Sequence, residues 1–183
     1  NDLPIFVTKI IEIGAEEEVV LDLNGKTVNA AENGAQHIYA LENRGALTIT
    51  DSVGGGSINS RGIYNYGTLN LNGGTINAID GNGGYSVNNQ SGSTFIMNGG
   101  VVATTNEDDH QNSSGGYDAT ALKVPAGATA TLNGGKIVSV SDFTYAVEAR
   151  GTLNIPATST IEISGAHGAI AVLGGKTTID AGT

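Results

Sequence analysis

The stretch Thr68-Leu69-Asn70-Leu71-Asn72-Gly73-Gly74 decides the fold, because the chain repeats it in altered form. Related stretches occupy residues 21–25, 95–100 and 130–135, and shorter copies occur at 47–49, 153–155 and 177–179. The aligned positions are 26, 22, 26, 35, 23 and 24 residues apart and are occupied by Leu23, Ile49, Leu71, Met97, Leu132, Ile155 and Ile179. A period in the low twenties, made of β segments, predicts a solenoid.

Each repeat contains three short apolar segments, which predicts three strands per rung of a parallel β-helix. Within the repeated stretch, alternation places Leu69 and Leu71 inside and Thr68 and Asn70 outside. An antiparallel β-sandwich is the alternative, in which the Asn-Gly pairs are hairpin turns. The β-helix is favoured because the strands recur at rung spacing, whereas strands of a sandwich recur about every 8–12 residues.

The Asn-Gly pairs predict the corners of the solenoid. A corner needs positive φ, which glycine reaches freely and asparagine tolerates better than most residues. Stacked rungs are expected to bring four asparagines into one column, where their amides form a structural ladder: Asn24, Asn72, Asn98 and Asn133.

Composition excludes several functions. The net charge is −10 and the 183 residues include only eight Lys and Arg, which argues against nucleic acid or an anionic membrane surface as partner. No run of 18 apolar residues occurs, so we expect no membrane insertion. The chain contains no cysteine, so cysteine usage gives no indication of the redox compartment. Without an initiator Met or a signal peptide, residues 1–183 are interpreted as a single β-helix domain cut from a longer protein.

The repeats resemble those of a known class of proteins. Residues 21–28, 45–52, 54–58 and 62–76 are similar to β-helix repeats of large secreted and cell-surface bacterial proteins, and the resemblance covers residues 19–102 well and the remainder loosely. It implies a right-handed parallel β-helix of the pectin-lyase-like class, here with about seven rungs of 22–26 residues. It also implies an extracellular or cell-surface location and a role as stalk, adhesin or carbohydrate-contacting surface. Phage tail fibres and other virion fibres contain similar helices.

The longest interval between repeats predicts one long loop near residues 103–118. Its carboxylates Glu107, Asp108 and Asp109 are oxygen ligands suited to Ca²⁺. Their spacing matches neither an EF-hand nor the glycine-rich calcium repeats, so a solvated acidic loop is favoured over a Ca²⁺ site. No other cofactor is predicted.

Tyrosines form a second group of candidates. Tyr39, Tyr85 and Tyr145 each precede a core residue by two positions, and this parity favours burial at a strand end over a ligand platform. Tyr64 and Tyr66 flank Asn65 with the opposite parity and are expected on the surface. Together with Arg44 and Arg150, which share the column of Tyr66, they predict a shallow polar and aromatic surface.

These patterns predict a non-catalytic, adhesin-like segment that binds a glycan or a host-cell ligand through Tyr64, Tyr66, Arg44, Arg150, Asp108 and Asp109. One alternative is a polysaccharide lyase or hydrolase, with Asp109, His110 and Lys123 meeting in a cleft. A phage tail or virion fibre is a further alternative; it requires a homotrimer with an apolar outer stripe. The sequence leaves the oligomeric state open.

Overall fold

The computed structural model describes residues 5–32, 36–79, 85–105 and 120–180, and the chain folds as a parallel β-solenoid of about six turns. Each turn contributes one strand to each of three parallel sheets. We name them sheets I, II and III in the order in which the chain meets them. Within the described ranges no helix occurs. The predicted all-β parallel β-helix is confirmed, with a number of turns close to the expected seven rungs.

The strands are numbered in chain order, and each sheet stacks seven of them in parallel. Sheet I consists of β1 (Ile5–Val7), β4 (Thr27–Glu32), β8 (Ser57–Ser60), β11 (Thr75–Ala78), β14 (Val101–Thr104), β17 (Gly134–Ser139) and β20 (Thr160–Gly165). Sheet II consists of β2 (Ile11–Ile13), β6 (Tyr39–Asn43), β9 (Gly62–Asn65), β12 (Tyr85–Asn89), β15 (Leu122–Val124), β18 (Tyr145–Ala149) and β21 (Gly168–Val172). Sheet III consists of β3 (Glu18–Asp22), β7 (Ala46–Thr50), β10 (Thr68–Leu71), β13 (Thr94–Met97), β16 (Thr129–Leu132), β19 (Thr152–Ile155) and β22 (Lys176–Ile179). The short β5 (Gln36–His37) pairs antiparallel with β4.

The core is a continuous apolar column along the solenoid axis. Leu69 and Leu71 of β10 are fully buried, as their parity predicts. Leu69 pairs with Leu47 on one side and with Phe95 on the other, so each rung covers the next. Burying such a side chain contributes about 1.5–3 kcal/mol. Stability is therefore distributed along the axis rather than gathered at one centre.

The register of the first turn differs from the predicted alignment. Leu21, not Leu23, pairs with Ile49, so the assignment of Leu23 to this column is wrong. Leu23 is instead buried at the corner that follows, where its N–H donates to the carbonyl oxygen of Thr50. The first copy of the repeat therefore carries two extra residues before its turn.

The predicted asparagine ladder forms without Asn24. Asn98 Nδ2 donates to Asn72 Oδ1 at 2.8 Å, and Asn133 Nδ2 donates to Asn98 Oδ1 at 2.8 Å. Asn24 is the one non-glycine residue of the described chain with a positive φ, 49°. In the other three copies the second glycine takes the positive φ, as at Gly74 with 79°. Glycine therefore bends these corners, because it adopts a positive φ without steric cost, and the asparagine before it is left to form the ladder.

A second asparagine ladder, which the sequence analysis did not predict, is fully buried where sheet II meets sheet III. Asn43 Nδ2 donates to Asn65 Oδ1 at 2.9 Å, and Asn65 Nδ2 donates to Asn89 Oδ1 at 2.8 Å. The same Nδ2 groups of Asn43 and Asn65 also donate to the carbonyl oxygens of Thr68 and Thr94, both at 2.9 Å. This ladder fixes the corner at which the strands of sheet II end.

The connections from sheet I to sheet II vary most in length. A single residue, Arg61, joins β8 to β9, whereas residues 105–121 join β14 to β15. Ala103 and Thr104 belong to β14, so the predicted loop begins later than residue 103. Residues 106–119 lie outside the described part of the chain. A search of the described residues for a helix long and apolar enough to cross a membrane finds none.

Candidate functional site

The outer face of sheet II carries most of the tyrosines and half of the cationic side chains of the protein. Four of the eight Lys and Arg residues and five of the six tyrosines lie on it or at its margins, in a chain whose net charge is −10. We call this surface the aromatic face. It comprises Tyr39, Glu42, Arg44, Arg61, Tyr64, Tyr66, Tyr85, Lys123, Tyr145, Glu148 and Arg150.

A β-bulge turns the first tyrosine of the face outward. Tyr39 pairs with Gly62, but Leu41 pairs with Ile63, so β6 carries one extra residue. Ala40 and Leu41 are consequently both buried, at 1% and 3% exposure, and Tyr39 takes the opposite side. The same shift occurs in β12 between Tyr85 and Val87. The prediction that these tyrosines follow the core residues inward is therefore wrong.

Tyr39 forms a ring stack with the next turn. Its centroid lies 3.9 Å from that of Tyr64, with 25° between the planes. The guanidinium carbon of Arg61 lies 5.7 Å from the centroid of Tyr39. Burial raises the pKa of Tyr39 well above its ordinary value, and a hydrogen bond with Tyr64 adds to the shift. The Tyr39 hydroxyl is thus held protonated where its ring stacks on Tyr64.

Tyr66 is the more accessible ring beside this stack. It is 39% exposed, and the guanidinium carbon of Arg44 lies 4.6 Å from its centroid. Arg44 Nε donates to Glu42 Oε1 at 2.8 Å. Tyr64 and Tyr66 are 6.2 Å apart between ring centroids. The structure therefore brings together three of the predicted site residues, Arg44, Tyr64 and Tyr66.

Arg150 lies on the same face but in a different cluster. Three rung steps separate it from Tyr66, about 14 Å at the spacing of parallel strands. Arg150 Nε donates to Glu148 Oε1 at 3.1 Å. Tyr145, 37% exposed, meets the ring of His167 edge to face at 4.8 Å. The predicted site residues therefore divide into two groups along the axis.

A cavity of about 130 Å³ opens beside Tyr145. The buried Thr144 Oγ1 on its wall has no hydrogen-bond partner. Lys123 Nζ lies 4.7 Å from the ring centroid of Tyr85, another wall residue. The cavity is lined by Tyr85, Thr120, Phe143, Thr144, Tyr145, Glu148 and Leu173. Its wall combines three aromatic rings with the polar side chains of Thr120, Thr144 and Glu148.

Several predicted residues lie outside the described part of the chain. Glu107, Asp108, Asp109 and His110 belong to residues 106–119, so the predicted Ca²⁺ site and catalytic cleft stay predictions. Lys123, the described member of that cleft, lies against Tyr85. Among the residues that the structure does describe, no group of three or more His, Asp or Glu is placed to hold a metal ion.

The sequence analysis missed Glu42 and Glu148, the partners of the two arginines. A signal was available, because residues 39–45 read Tyr-Ala-Leu-Glu-Asn-Arg-Gly and residues 145–151 read Tyr-Ala-Val-Glu-Ala-Arg-Gly. This segment occurs in only two of the turns, so the period of the Leu-x-Leu strands does not reveal it.

The shifted pKa of Tyr39 predicts a distinct alkaline titration. Its folded-state pKa is raised above the ordinary 10.0, so its stabilising contribution is present below about pH 10 and is lost as the pH rises further. Absorbance at 295 nm should show one tyrosine that ionises well above pH 10, together with unfolding. Tyr39→Phe should remove the late step, and Tyr145→Phe should retain it. A late step that survives in Tyr39→Phe would contradict the assignment.

Comparisons of the chain with protein-family models, with curated proteins and with solved structures gave no match.

Proposed function

We propose that the chain is a non-catalytic β-solenoid segment of an extracellular or cell-surface protein, and that it binds a carbohydrate on the aromatic face. The resemblance to secreted bacterial β-helix repeats of the pectin-lyase-like class supports the location and the adhesin-like role. The observation that carries the binding proposal is the exposed ring of Tyr66 beside the Arg44–Glu42 pair.

The chemistry of this cluster suits a sugar. A sugar ring has an apolar face of C–H groups and a rim of hydroxyls, each of which both donates and accepts hydrogen bonds. The Tyr66 ring offers aromatic surface to the C–H groups. Arg44 has five N–H donors, and its side chain is 55% exposed despite the bond to Glu42. Apolar contact and hydrogen bonding are thus available side by side.

The cluster is also preorganised. Asn65, between Tyr64 and Tyr66, is fully buried and hydrogen-bonded to Asn43 and Asn89 in the adjacent turns. The strand end that carries both tyrosines is therefore held in place before a ligand arrives. A site on rigid strands loses little conformational entropy on binding, which supports affinity from a small contact area.

A glycan array with the whole chain tests the proposal. We expect binding to a defined set of glycans, and a comparison with and without Ca²⁺ tests the predicted Glu107, Asp108 and Asp109 site. By calorimetry, Tyr66→Ala should weaken binding of the best glycan roughly tenfold, about 1.4 kcal/mol. Phe6→Ala, which removes a 66% exposed ring from sheet I, is the matched control and should leave the affinity for the glycan unchanged. An array without any bound glycan would refute the proposed function.

A further inference from the structure

The aromatic face contains the same short segment twice. Residues 39–45 and 145–151 are identical at five of seven positions, namely the Tyr, Ala, Glu, Arg and Gly. They form β6 and β18 with the corner that follows each strand. Since β6, β9, β12, β15 and β18 are successive neighbours in sheet II, four rung steps separate the two copies.

The two copies also share their geometry. In each, the arginine Nε donates to Oε1 of the glutamate two residues earlier, at 2.8 Å for Arg44 and 3.1 Å for Arg150. The arginine side chains are 55% and 56% exposed, and those of Glu42 and Glu148 are 21% and 24% exposed. The exposed donor and acceptor groups are therefore presented to solvent in nearly the same way.

The following turn covers each copy in a related manner. The ring of Tyr64 stacks on Tyr39, and the ring of His167 meets Tyr145 edge to face. Tyr66 follows the first copy, with its N–H donating to the carbonyl oxygen of Asn43 at 2.7 Å. Leu173 takes the equivalent place after the second copy, with its N–H donating to the carbonyl oxygen of Ala149 at 2.7 Å. Both copies therefore have a ring against the tyrosine, and Leu173 of the second copy stands where the first has Tyr66.

Stability does not account for this repetition. Exposed ion pairs of this type contribute about 0–1 kcal/mol. The intervening strands fold in the same sheet with Tyr64, Asn88 and Lys123 in the column of the two glutamates. A glutamate–arginine pair is thus not needed to build a turn of sheet II.

We propose that the two copies are two subsites for one linear, uncharged polysaccharide lying along the solenoid axis. This rests on the proposed function and adds the length, the direction and the charge class of the ligand. Four rung steps are about 19 Å, roughly the length of four linked sugar rings. A chain of that length reaches both subsites at once, whereas a disaccharide or trisaccharide occupies one.

The charge class follows from the balance within each subsite. Each contains one guanidinium and one carboxylate in direct contact, so the charges of each pair cancel, while the cations Arg61 and Lys123 lie over the rings of Tyr39 and Tyr85. A donor N–H group beside an acceptor oxygen is complementary to adjacent sugar hydroxyls. An acidic sugar would instead bring its carboxylate against that of Glu42 or Glu148.

Calorimetry of the whole chain with linear gluco-, manno- and xylo-oligosaccharides of two to eight residues tests the inference. In the series that binds, we expect two trisaccharides per chain but one hexasaccharide, with at least tenfold higher affinity for the hexasaccharide because the second contact is intramolecular. Affinity should not change between low and moderate NaCl. Arg150→Ala should reduce the trisaccharide stoichiometry to one and remove most of the hexasaccharide gain.

The matched control is Lys136→Ala, which breaks the exposed Lys136–Glu162 contact of 3.6 Å on sheet I. It should leave stoichiometry and affinity unchanged. One ligand per chain at every length, or affinity independent of length, would overturn the two-subsite arrangement while leaving glycan binding intact. Binding only to acidic sugars, weakened by NaCl, would overturn the charge class. No binding of any glycan would overturn the proposed function itself.

Discussion

Replacing Gly62 by alanine is expected to destabilise the protein by at least about 3 kcal/mol. Gly62 has a φ of 129°, a backbone conformation that residues with a side chain rarely adopt. A Cβ there would overlap the carbonyl oxygen of Tyr85 in the adjacent turn. Because backbone rather than a flexible side chain blocks the space, β9 and β12 must move apart. Chemical denaturation followed by circular dichroism measures the loss.

A second glycine separates the two causes of this effect. Gly92 also has a positive φ, 86°, but a Cβ there would meet no atom within 4 Å. Gly92→Ala therefore reports backbone strain alone, for which we expect about 1–2 kcal/mol. Equal losses for Gly62→Ala and Gly92→Ala would show that the close packing beside Gly62 is not required. That result would contradict the account of the bulge that turns Tyr39 and Tyr85 outward.

Asn65→Ala is expected to lower the free energy of unfolding by about 3–5 kcal/mol. The fully buried Asn65 side chain donates to Asn89 Oδ1 and to the carbonyl oxygen of Thr94, and it accepts from Asn43 Nδ2. Alanine would remove these three hydrogen bonds and leave buried polar groups without partners, each costing about 1–3 kcal/mol. The free energy of unfolding and the hydrogen exchange of the Thr94 region should both report the change.

The exposed ladder provides the matched control. Asn98 donates to Asn72 and accepts from Asn133 in the same manner, but at the surface. Water replaces its hydrogen bonds when the side chain is removed, so Asn98→Ala should cost less than about 1 kcal/mol. If Asn98→Ala proved as damaging as Asn65→Ala, burial would not be the source of the ladder's contribution.

The period and parity of the repeats were sufficient to predict the fold. Every copy of the Leu-x-Leu alternation in β10 and its neighbours places its apolar side chains inward, because a strand has a strict period of two. The same rule failed for Tyr39 and Tyr85, since a bulge changes parity and depends on a glycine in another turn. The buried ladder through Asn65 was missed for a related reason. A lone asparagine between two tyrosines has no local pattern that distinguishes it from a surface residue.

The candidate site was predictable only in part. Local alternation predicts that Tyr64 and Tyr66 lie on the surface. The place of Arg44 beside Tyr66 follows from their equivalent positions in successive turns. The division into two subsites depends on how many rungs separate Arg44 from Arg150, which requires the register of every intervening turn. The glutamate partners are present in the repeated Tyr-Ala-x-Glu-x-Arg-Gly segment. This segment occurs in only two turns, so a pattern that recurs in every turn does not reveal it.

The most direct test of the central claim is backbone amide chemical-shift mapping of the isotopically labelled chain during titration with the glycan that binds best. The account predicts that the largest shifts fall on the aromatic face, at Glu42, Arg44, Tyr64 and Tyr66, and that a hexasaccharide extends them to Glu148 and Arg150. The outer face of sheet III, with β10, β13 and β16, should remain unchanged. Chemical-shift changes concentrated on sheet I or sheet III, with no change on the aromatic face, would contradict the account.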